Sequence, residues 1–137
     1  MNIMNIRETP FLETDGWLIM VKVVVVGPLA TIEGRFALDT GATVTTMIPQ
    51  IAAMIGYARG DAFRSSRVRS PIGDEKGYLV HAAEFEALGF LLPRVAVNVL
   101  DLGFEDIDGL VGMNFLNDFN YEIRSAEHRI LAEKIAA

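Results

Sequence analysis

The sequence predicts an all-β fold with one or two short helices. An apolar run at residues 17–26 is rich in β-branched side chains and is followed by a Gly-Pro breaker, as expected for a buried strand. A dense cluster of turn residues at 71–77 separates two further strand-like runs. The chain length of 137 residues suffices for one domain with a substantial core. We therefore expect a single domain over residues 1–137, with residues 1–16 as an N-terminal arm.

The first half of the chain predicts a hairpin, a short strand and a helix. Residues 21–26 and 32–38 are expected to pair as a β-hairpin around the turn residues between them. A further strand is predicted at residues 44–48, and Pro49 then suits the first turn of a short helix that Gly56 ends. This helix carries the apolar residues Ile51, Met54 and Ile55.

The next segment, residues 57–70, is charged and rich in serine and arginine. We interpret it as a solvated loop or the edge of a sheet, with contact of its arginines to an acidic substrate or partner as the alternative. The turn cluster at 71–77 lies between Val68 and Tyr78, and it predicts the tip of a β-hairpin.

The remainder of the chain predicts more strands and a second helix. Residues 90–100 carry valine at positions 95, 97 and 99, an alternation that indicates a strand with one buried face. An acidic loop follows at 102–108. The other predicted elements are a strand at 81–88, a helix at 112–119 with Met113, Leu116 and Phe119 buried, and a final hairpin formed by 121–124 and 129–132.

The composition argues against several classes of protein. A formal net charge of −6 leaves no basic stripe to neutralise phosphates, so we expect no nucleic-acid partner. The chain has no cysteine, which excludes disulfides, thiolate metal sites and cysteine nucleophiles and fits a cytoplasmic protein. The N-terminal residues lack the pattern of a signal peptide, and the run at 17–26 is too short to span a bilayer. We expect a cytoplasmic protein with no membrane partner.

No metal or cofactor is expected either. The acidic residues Glu105, Asp106 and Asp108 match only half of a calcium-loop pattern, and no glutamate closes it. His81 and His128 have no other ligands at suitable spacing. The motifs of serine hydrolases, phosphate-binding loops and dinucleotide-binding folds are absent from the sequence.

The clearest chemical signal lies at residues 36–43, Phe-Ala-Leu-Asp-Thr-Gly-Ala-Thr. An apolar run ends there on Asp39, whose charge would be costly to bury unless it is hydrogen-bonded or protonated. Gly41 permits a tight turn, and the hydroxyl of Thr40 can hold that turn. The small residues Gly41 and Ala42 leave room beside the carboxylate for a ligand, or for a second copy of the same loop.

This octet resembles the active-site loop of the aspartic peptidases, in which two apolar residues precede Asp-Thr/Ser-Gly-Ala/Ser. Residues 108–116, Asp-Gly-Leu-Val-Gly-Met-Asn-Phe-Leu, resemble the family's apolar-apolar-Gly segment, which packs against that loop and continues into a short helix. The spacing and the single copy of each motif are similar to the retropepsin-like, single-lobe branch, and differ from the two-lobed pepsin branch. The resemblance spans residues 17–131.

The resemblance implies an acid-protease barrel with one lobe per chain and an active site completed by homodimerisation. Attack of water on a peptide bond needs a base and an acid. Two adjacent carboxylates that share one proton supply both, as is known for the aspartic-protease dyad. The chain has one Asp-Thr-Gly, so the second Asp39 would come from a partner across a two-fold axis. In retropepsins the terminal strands contribute to that dimer interface, and the resemblance extends this expectation to the present chain.

The resemblance also implies the roles of the loop residues. Asp39, Thr40 and Gly41 form the catalytic loop, in which Asp39 activates the water and Thr40 hydrogen-bonds across the dimer axis. Ala42 borders the polypeptide substrate. Residues 110–112 pack beneath the loop, and Asn114 follows at a position where relatives often carry a charged or polar residue.

The predicted hairpin at 71–77 corresponds to the flap of the retropepsins, which closes over the substrate. Ile72 and Gly73 are therefore its candidate substrate-binding residues, with an ordinary exposed hairpin as the alternative. Two functions follow from the resemblance: an active homodimeric endopeptidase, or a catalytically weak or inactive peptide-binding or dimerisation module of the same fold. The intact Asp-Thr-Gly-Ala favours the enzyme, because a scaffold has no need for a costly pair of carboxylates.

Overall fold

The computed structural model describes residues 3–70 and 73–136, which are mostly strands as the sequence predicts. The strands are β1 (Arg7–Pro10), β2 (Met20–Val26), β3 (Thr31–Leu38), β4 (Thr46–Met47), β5 (Arg64–Ser70), β6 (Gly73–Ala87), β7 (Phe90–Val99), β8 (Gly109–Val111), β9 (Phe119–Arg124) and β10 (Arg129–Lys134). The α-helices are α1 (Pro49–Ile55) and α2 (Met113–Leu116). Single turns of 3-10 helix lie at Ile3–Asn5, Arg59–Asp61 and Ser125–Glu127.

Six of these strands close into a barrel in the order β2, β3, β8, β4, β7 and β6, with β6 pairing back onto β2. The predicted hairpin of β2 and β3 is confirmed, with Val23 opposite Gly34. Its second strand pairs in parallel with β8, so that Leu38 lies opposite Val111. This pairing brings the two sequence motifs, which are far apart in the chain, to the same end of the barrel.

A second, three-stranded sheet joins the ends of the chain in the order β1, β10 and β9. Arg7 in the predicted N-terminal arm lies opposite Ala132 near the C-terminus. The guanidinium of Arg129 pairs with Glu8 across these strands and with Glu127 in the preceding turn. The final hairpin predicted from the sequence is therefore confirmed, and β1 adds a third strand to it.

The core contains the inward-facing side chains of the barrel and a chain of aromatic rings. In β2 the residues Val21, Val23 and Val25 are fully buried, which is the period of two expected of a strand with one apolar face. The ring centroids of Phe85 and Phe115 lie 5.3 Å apart, within the range of favourable aromatic pairs. Each such buried side chain contributes about 1.5–3 kcal/mol to stability, and Phe115 anchors α2 against the barrel.

Helix α1 begins and ends as predicted, and two of the three apolar residues singled out on it are buried. Gly56 adopts a left-handed conformation (φ 102°) and donates its N–H to the last carbonyls of the helix. The buried residues are Ile51, Ala52 and Ile55, whereas Met54 is 63% exposed. At 3.6 residues per turn, the first three share one face and Met54 lies beside it.

Two other predicted elements are shorter in the structure. Helix α2 ends at Leu116, and Phe119 is buried as the first residue of a strand instead of a helical residue. The predicted strand at 44–48 is reduced to Thr46–Met47, because the backbone before it bonds to the segment around α2. Neither helix in the described part of the chain has the length and apolar character needed to cross a bilayer.

The segment at 57–70 is the edge of a sheet rather than a loop. After the turn at Arg59–Asp61, strand β5 pairs with β6 on one side only. The pairing runs from Arg64 opposite Leu79 to position 70 opposite Gly73, which confirms the predicted hairpin. Ile72, one of the two predicted tip residues, lies outside the described residues.

Candidate active site

Asp39 follows directly after β3 and is held by its neighbours in a tight turn. Its Oδ1 accepts a hydrogen bond of 2.9 Å from the N–H of Gly41, and its carbonyl accepts one of 3.2 Å from Ala42. The N–H of Asp39 donates to the carbonyl of Val111 at 3.0 Å. The half-buried carboxylate is therefore oriented by the N–H of Gly41, and the backbone of Asp39 is held by bonds to Ala42 and Val111.

Gly41 is favoured by close approach rather than by an unusual backbone angle. Its φ lies outside the left-handed region that glycine favours. A Cβ at this position would lie 3.2 Å from Oδ1 of Asp39, tighter than an ordinary van der Waals contact. The turn therefore leaves the carboxylate open on that side, with Thr40 and Gly41 both exposed.

The start of α2 supports the loop from beneath. The N–H of Met113 donates to the carbonyl of Ala42 at 2.8 Å, and the N–H of Asn114 donates to the carbonyl of Thr43 at 3.1 Å. These bonds use two N–H groups that a helix start leaves without intrahelical partners. They join the second motif to the first just after the candidate catalytic residue.

Two polar side chains that the sequence did not single out for this purpose complete the support. The buried Thr45 accepts the N–H of Gly112 on its Oγ1 at 3.0 Å. Its own N–H donates to Oδ1 of Asn114 at 2.7 Å, and the Nδ2 of Asn114 donates to the carbonyl of Ala96 at 2.8 Å. Asn114 thus links the loop, α2 and β7, and its side chain has a positioning role.

The glycines of the second motif allow β8 to fit between β3 and β4. A Cβ on Gly109 would lie 2.2 Å from the carbonyl oxygen of Thr46 and 2.3 Å from the ring of Phe36. A Cβ on Gly112 would lie 2.7 Å from the N–H nitrogen of Thr45. Since real Cβ atoms do not approach other atoms so closely, glycine at both positions follows from packing.

Replacing Gly109 by alanine is therefore expected to destabilise the barrel. Overpacking of a tight core site costs about 1–3 kcal/mol, and the contacts here are with a backbone oxygen and a buried ring. The free energy of unfolding in urea should fall by at least that amount. Gly60→Ala is the matched control, because its Cβ would meet nothing within 4 Å and should change stability by less than about 0.5 kcal/mol. Equal stability of Gly109→Ala and wild type would contradict this packing.

The carboxylate opens into a cleft of about 590 Å³ between the Asp39 loop and strand β5. Ala42 and Gly41 line it on the loop side, and its apolar lining consists mainly of leucines. These leucines are Leu79, Leu100, Leu102 and Leu110. A larger opening of about 1010 Å³ is lined by the loop at 11–19 but by no residue of the Asp39 turn. The smaller cleft is the candidate site because the carboxylate reaches it.

The remaining predicted site residues lie around this cleft. Thr40 is exposed beside it, at the surface of the turn. Gly73 is exposed at the start of β6 and has a φ of 141°. Of the described residues of one chain that line the cleft, Gly73 is not one. The structure thus brings Asp39, Gly41 and Ala42 together in one chain and places Gly73 at the far end of the β5–β6 hairpin.

Two other titratable residues singled out in the sequence, His81 and Asp108, make contacts that support the fold. His81 stacks on Phe63, with ring centroids 4.1 Å apart. Asp108 accepts the N–H of Arg35 on its Oδ2 at 2.8 Å. Across residues 3–70 and 73–136, no group of three or more histidine, aspartate or glutamate side chains is arranged to hold a metal ion.

The closed barrel, the Asp39 turn and the glycine-containing strand beneath it define the single-lobe, retropepsin-like class of aspartic proteases. Residues 29–118 match the family model described as "gag-polyprotein putative aspartyl protease". This match covers both motifs and well over half of the chain, so the chain belongs to that aspartyl protease family. The predicted family and fold class are confirmed.

The fold is also similar to a solved structure, that of a retropepsin-like aspartic protease from Rickettsia conorii. The two share a TM-score of 0.71 and 16% sequence identity, over 94% of this chain and 92% of the other. At that identity the likeness shows the fold. A search of curated proteins gave no match.

Proposed function

We propose that this chain is an aspartic endopeptidase that hydrolyses extended polypeptides with a water molecule activated between Asp39 and the Asp39 of a second copy. The observation that carries the proposal is the Asp39 carboxylate, which is oriented by the N–H of Gly41 and opens into the cleft beside β5. Membership of the aspartyl protease family supports it. A cleft lined by leucines and an open strand edge suits a peptide chain better than a small polar molecule.

The second copy is required by the chemistry of the carboxyl group. One carboxylate takes a proton from water but cannot at the same time protonate the carbonyl oxygen of the peptide. Two carboxyl groups at contact distance share one proton, because both cannot ionise cheaply. The chain contains a single Asp-Thr-Gly, and a two-fold interface places identical residues opposite each other.

The remaining residues have roles that follow from this arrangement. The exposed Thr40 faces the partner and ties the two loops together across the axis. Gly41 and Ala42 border the scissile bond. The β5–β6 hairpin acts as the flap, with Ile72 and Gly73 at its tip, and bonds to the peptide backbone as a neighbouring strand would.

The proposal is tested by digestion of a random peptide library with the purified protein, over about pH 4 to 7. We expect cleavage that a peptide mimic with a central hydroxyl group inhibits and that chelators and thiol reagents leave unchanged. Tight binding of peptides without cleavage at any pH would favour the alternative, a peptide-binding or dimerisation module. The cytoplasmic location, the lack of a nucleic-acid partner or cofactor, and a single domain over the whole chain remain predictions.

A further inference from the structure

The charges along the cleft differ in sign from those of the protein as a whole. The chain carries a net charge of −6. Among the described residues that line the cleft, however, the charged ones besides Asp39 are Arg64 and Arg67. Both belong to β5, the edge strand that faces the Asp39 loop across the cleft. Any peptide in the cleft therefore lies beside cationic side chains.

Arg64 lies on the face of β5 that is turned toward the cleft. Side chains alternate along a strand, so Arg64 and Ser66 share one face. The hydroxyl of Ser66 donates to Oδ1 of Asn98 at 2.5 Å, and Asn98 is a buried residue of the cleft wall. Arg64 pairs across the strands with Leu79, another buried residue of that wall. These two contacts place Arg64 on the face of β5 that packs on the cleft wall, and Arg67 borders the opening from the other face.

Two neighbouring guanidiniums have partners within the described part of the chain, and that of Arg64 has none there. Arg67 has its Nη1 3.9 Å from Oδ2 of Asp74, and the guanidinium of Arg59 lies 5.3 Å from the ring centroid of Tyr78. Within the parts of the chain that the structure describes, Arg64 forms no ion pair and no ring contact. A guanidinium stays charged at any working pH, and its planar donors match a carboxylate.

We propose that Arg64 selects peptides in which an aspartate or glutamate side chain lies close to an apolar side chain of the same peptide. This inference rests on the peptidase function proposed above. The leucines of the cleft take the apolar side chain, and the guanidinium takes the carboxylate. The negative net charge of the protein does not oppose this, because charges more than about 8 Å apart are largely screened at physiological ionic strength. The contact with Arg64 then decides which peptide is preferred.

The inference is tested with decapeptide libraries in which one position at a time is fixed as Glu, Gln or Lys and the other positions are mixed. For wild type, we expect one position at which the library with Glu is cleaved with about tenfold higher kcat/KM than the library with Gln. That is the size expected of a charge-assisted hydrogen bond. Arg64→Gln should lose that preference, so that it cleaves the Glu and Gln libraries with kcat/KM values within about twofold of each other. Arg64→Glu should reverse the preference toward Lys at the same position.

The matched control is Arg69→Gln, which removes the same charge from the same strand at an exposed residue that does not line the cleft. It should keep the preference for Glu within about twofold. An unchanged preference in Arg64→Gln would overturn the inference. An equal loss in Arg69→Gln would overturn it too, because the hairpin would then act through its overall charge.

A binding measurement separates this inference from the peptidase proposal. Immobilised Asp39→Asn protein should retain the Glu library about tenfold more strongly than the Gln library at the selected position, and adding Arg64→Gln should abolish the difference. If wild type cleaves no peptide but this difference is found, the peptidase function fails and Arg64 still selects acidic peptides. If cleavage depends on Asp39 but no acidic preference exists, the present inference alone fails.

Discussion

Replacing Asp39 with Asn is expected to abolish peptide cleavage and leave the barrel folded. The amide oxygen of asparagine accepts the N–H of Gly41 as the carboxylate does at 2.9 Å, so the turn is preserved. The amide cannot take a proton from water, and loss of this step should lower kcat/KM by at least about a thousandfold. The measurement is digestion of the peptide library by wild type and variant side by side, with circular dichroism and thermal unfolding of both.

Asp101→Asn is a suitable control for this experiment. Oδ1 of Asp101 accepts the N–H of Gly103 at 2.9 Å, the same kind of hydrogen bond from the residue two positions later as at Asp39, but in a separate loop. The same change of carboxylate to amide there should leave cleavage within about twofold of wild type. Activity retained by Asp39→Asn would refute the shared carboxylate pair, whatever the behaviour of Asp101→Asn.

Mixing wild type with Asp39→Asn chains should reduce activity more than dilution alone. If the site needs one Asp39 from each of two chains, random pairing of equal amounts leaves about a quarter of the dimers with both carboxylates. The specific activity per total chain should then fall to about a quarter of that of wild type. The chains are unfolded and refolded together so that partners exchange fully, and light scattering gives the mass of the assembly.

The opposite result is equally clear. If each chain carried a complete site, the equal mixture would retain about half of the activity, in proportion to the wild-type chains present. Refolded wild type and refolded Asp39→Asn, mixed only after refolding and assayed before partners exchange, form the control. A mass equal to one chain in an active sample would exclude the two-chain site.

The parts of the fold that the sequence predicted are marked by residues close to each other in the chain. The β-branched run of β2 and the Gly-Pro breaker after it lie within a few residues of each other, and so do the groups of the Asp39 turn. Helix α1 was predicted for the same reason, from Pro49 at its start and Gly56 at its end. The sequence did not show which of its apolar residues are buried, because a helix of seven residues makes barely two turns.

The parts that the sequence did not predict depend on contacts between distant residues. The bond from Thr45 to Asn114 joins positions 69 residues apart, so no local pattern announces it. The sequence left β5 open between a loop and a sheet edge, because an edge strand with exposed side chains lacks an apolar alternation and its pairing with β6 is made by the backbone. For the same reason, the sequence could not decide whether the arginines of that segment approach the cleft.

The sheet that joins β1, β10 and β9 bears on how two copies of the proposed enzyme would associate. The last strand, β10, bonds to β1 on one side and to β9 on the other, whereas each of these two neighbours has an outer edge within the described residues. An outer edge can accept a strand from a second copy, but the central strand cannot do so without giving up a partner. If the proposed site needs two chains, its activity rises with protein concentration until every chain is paired.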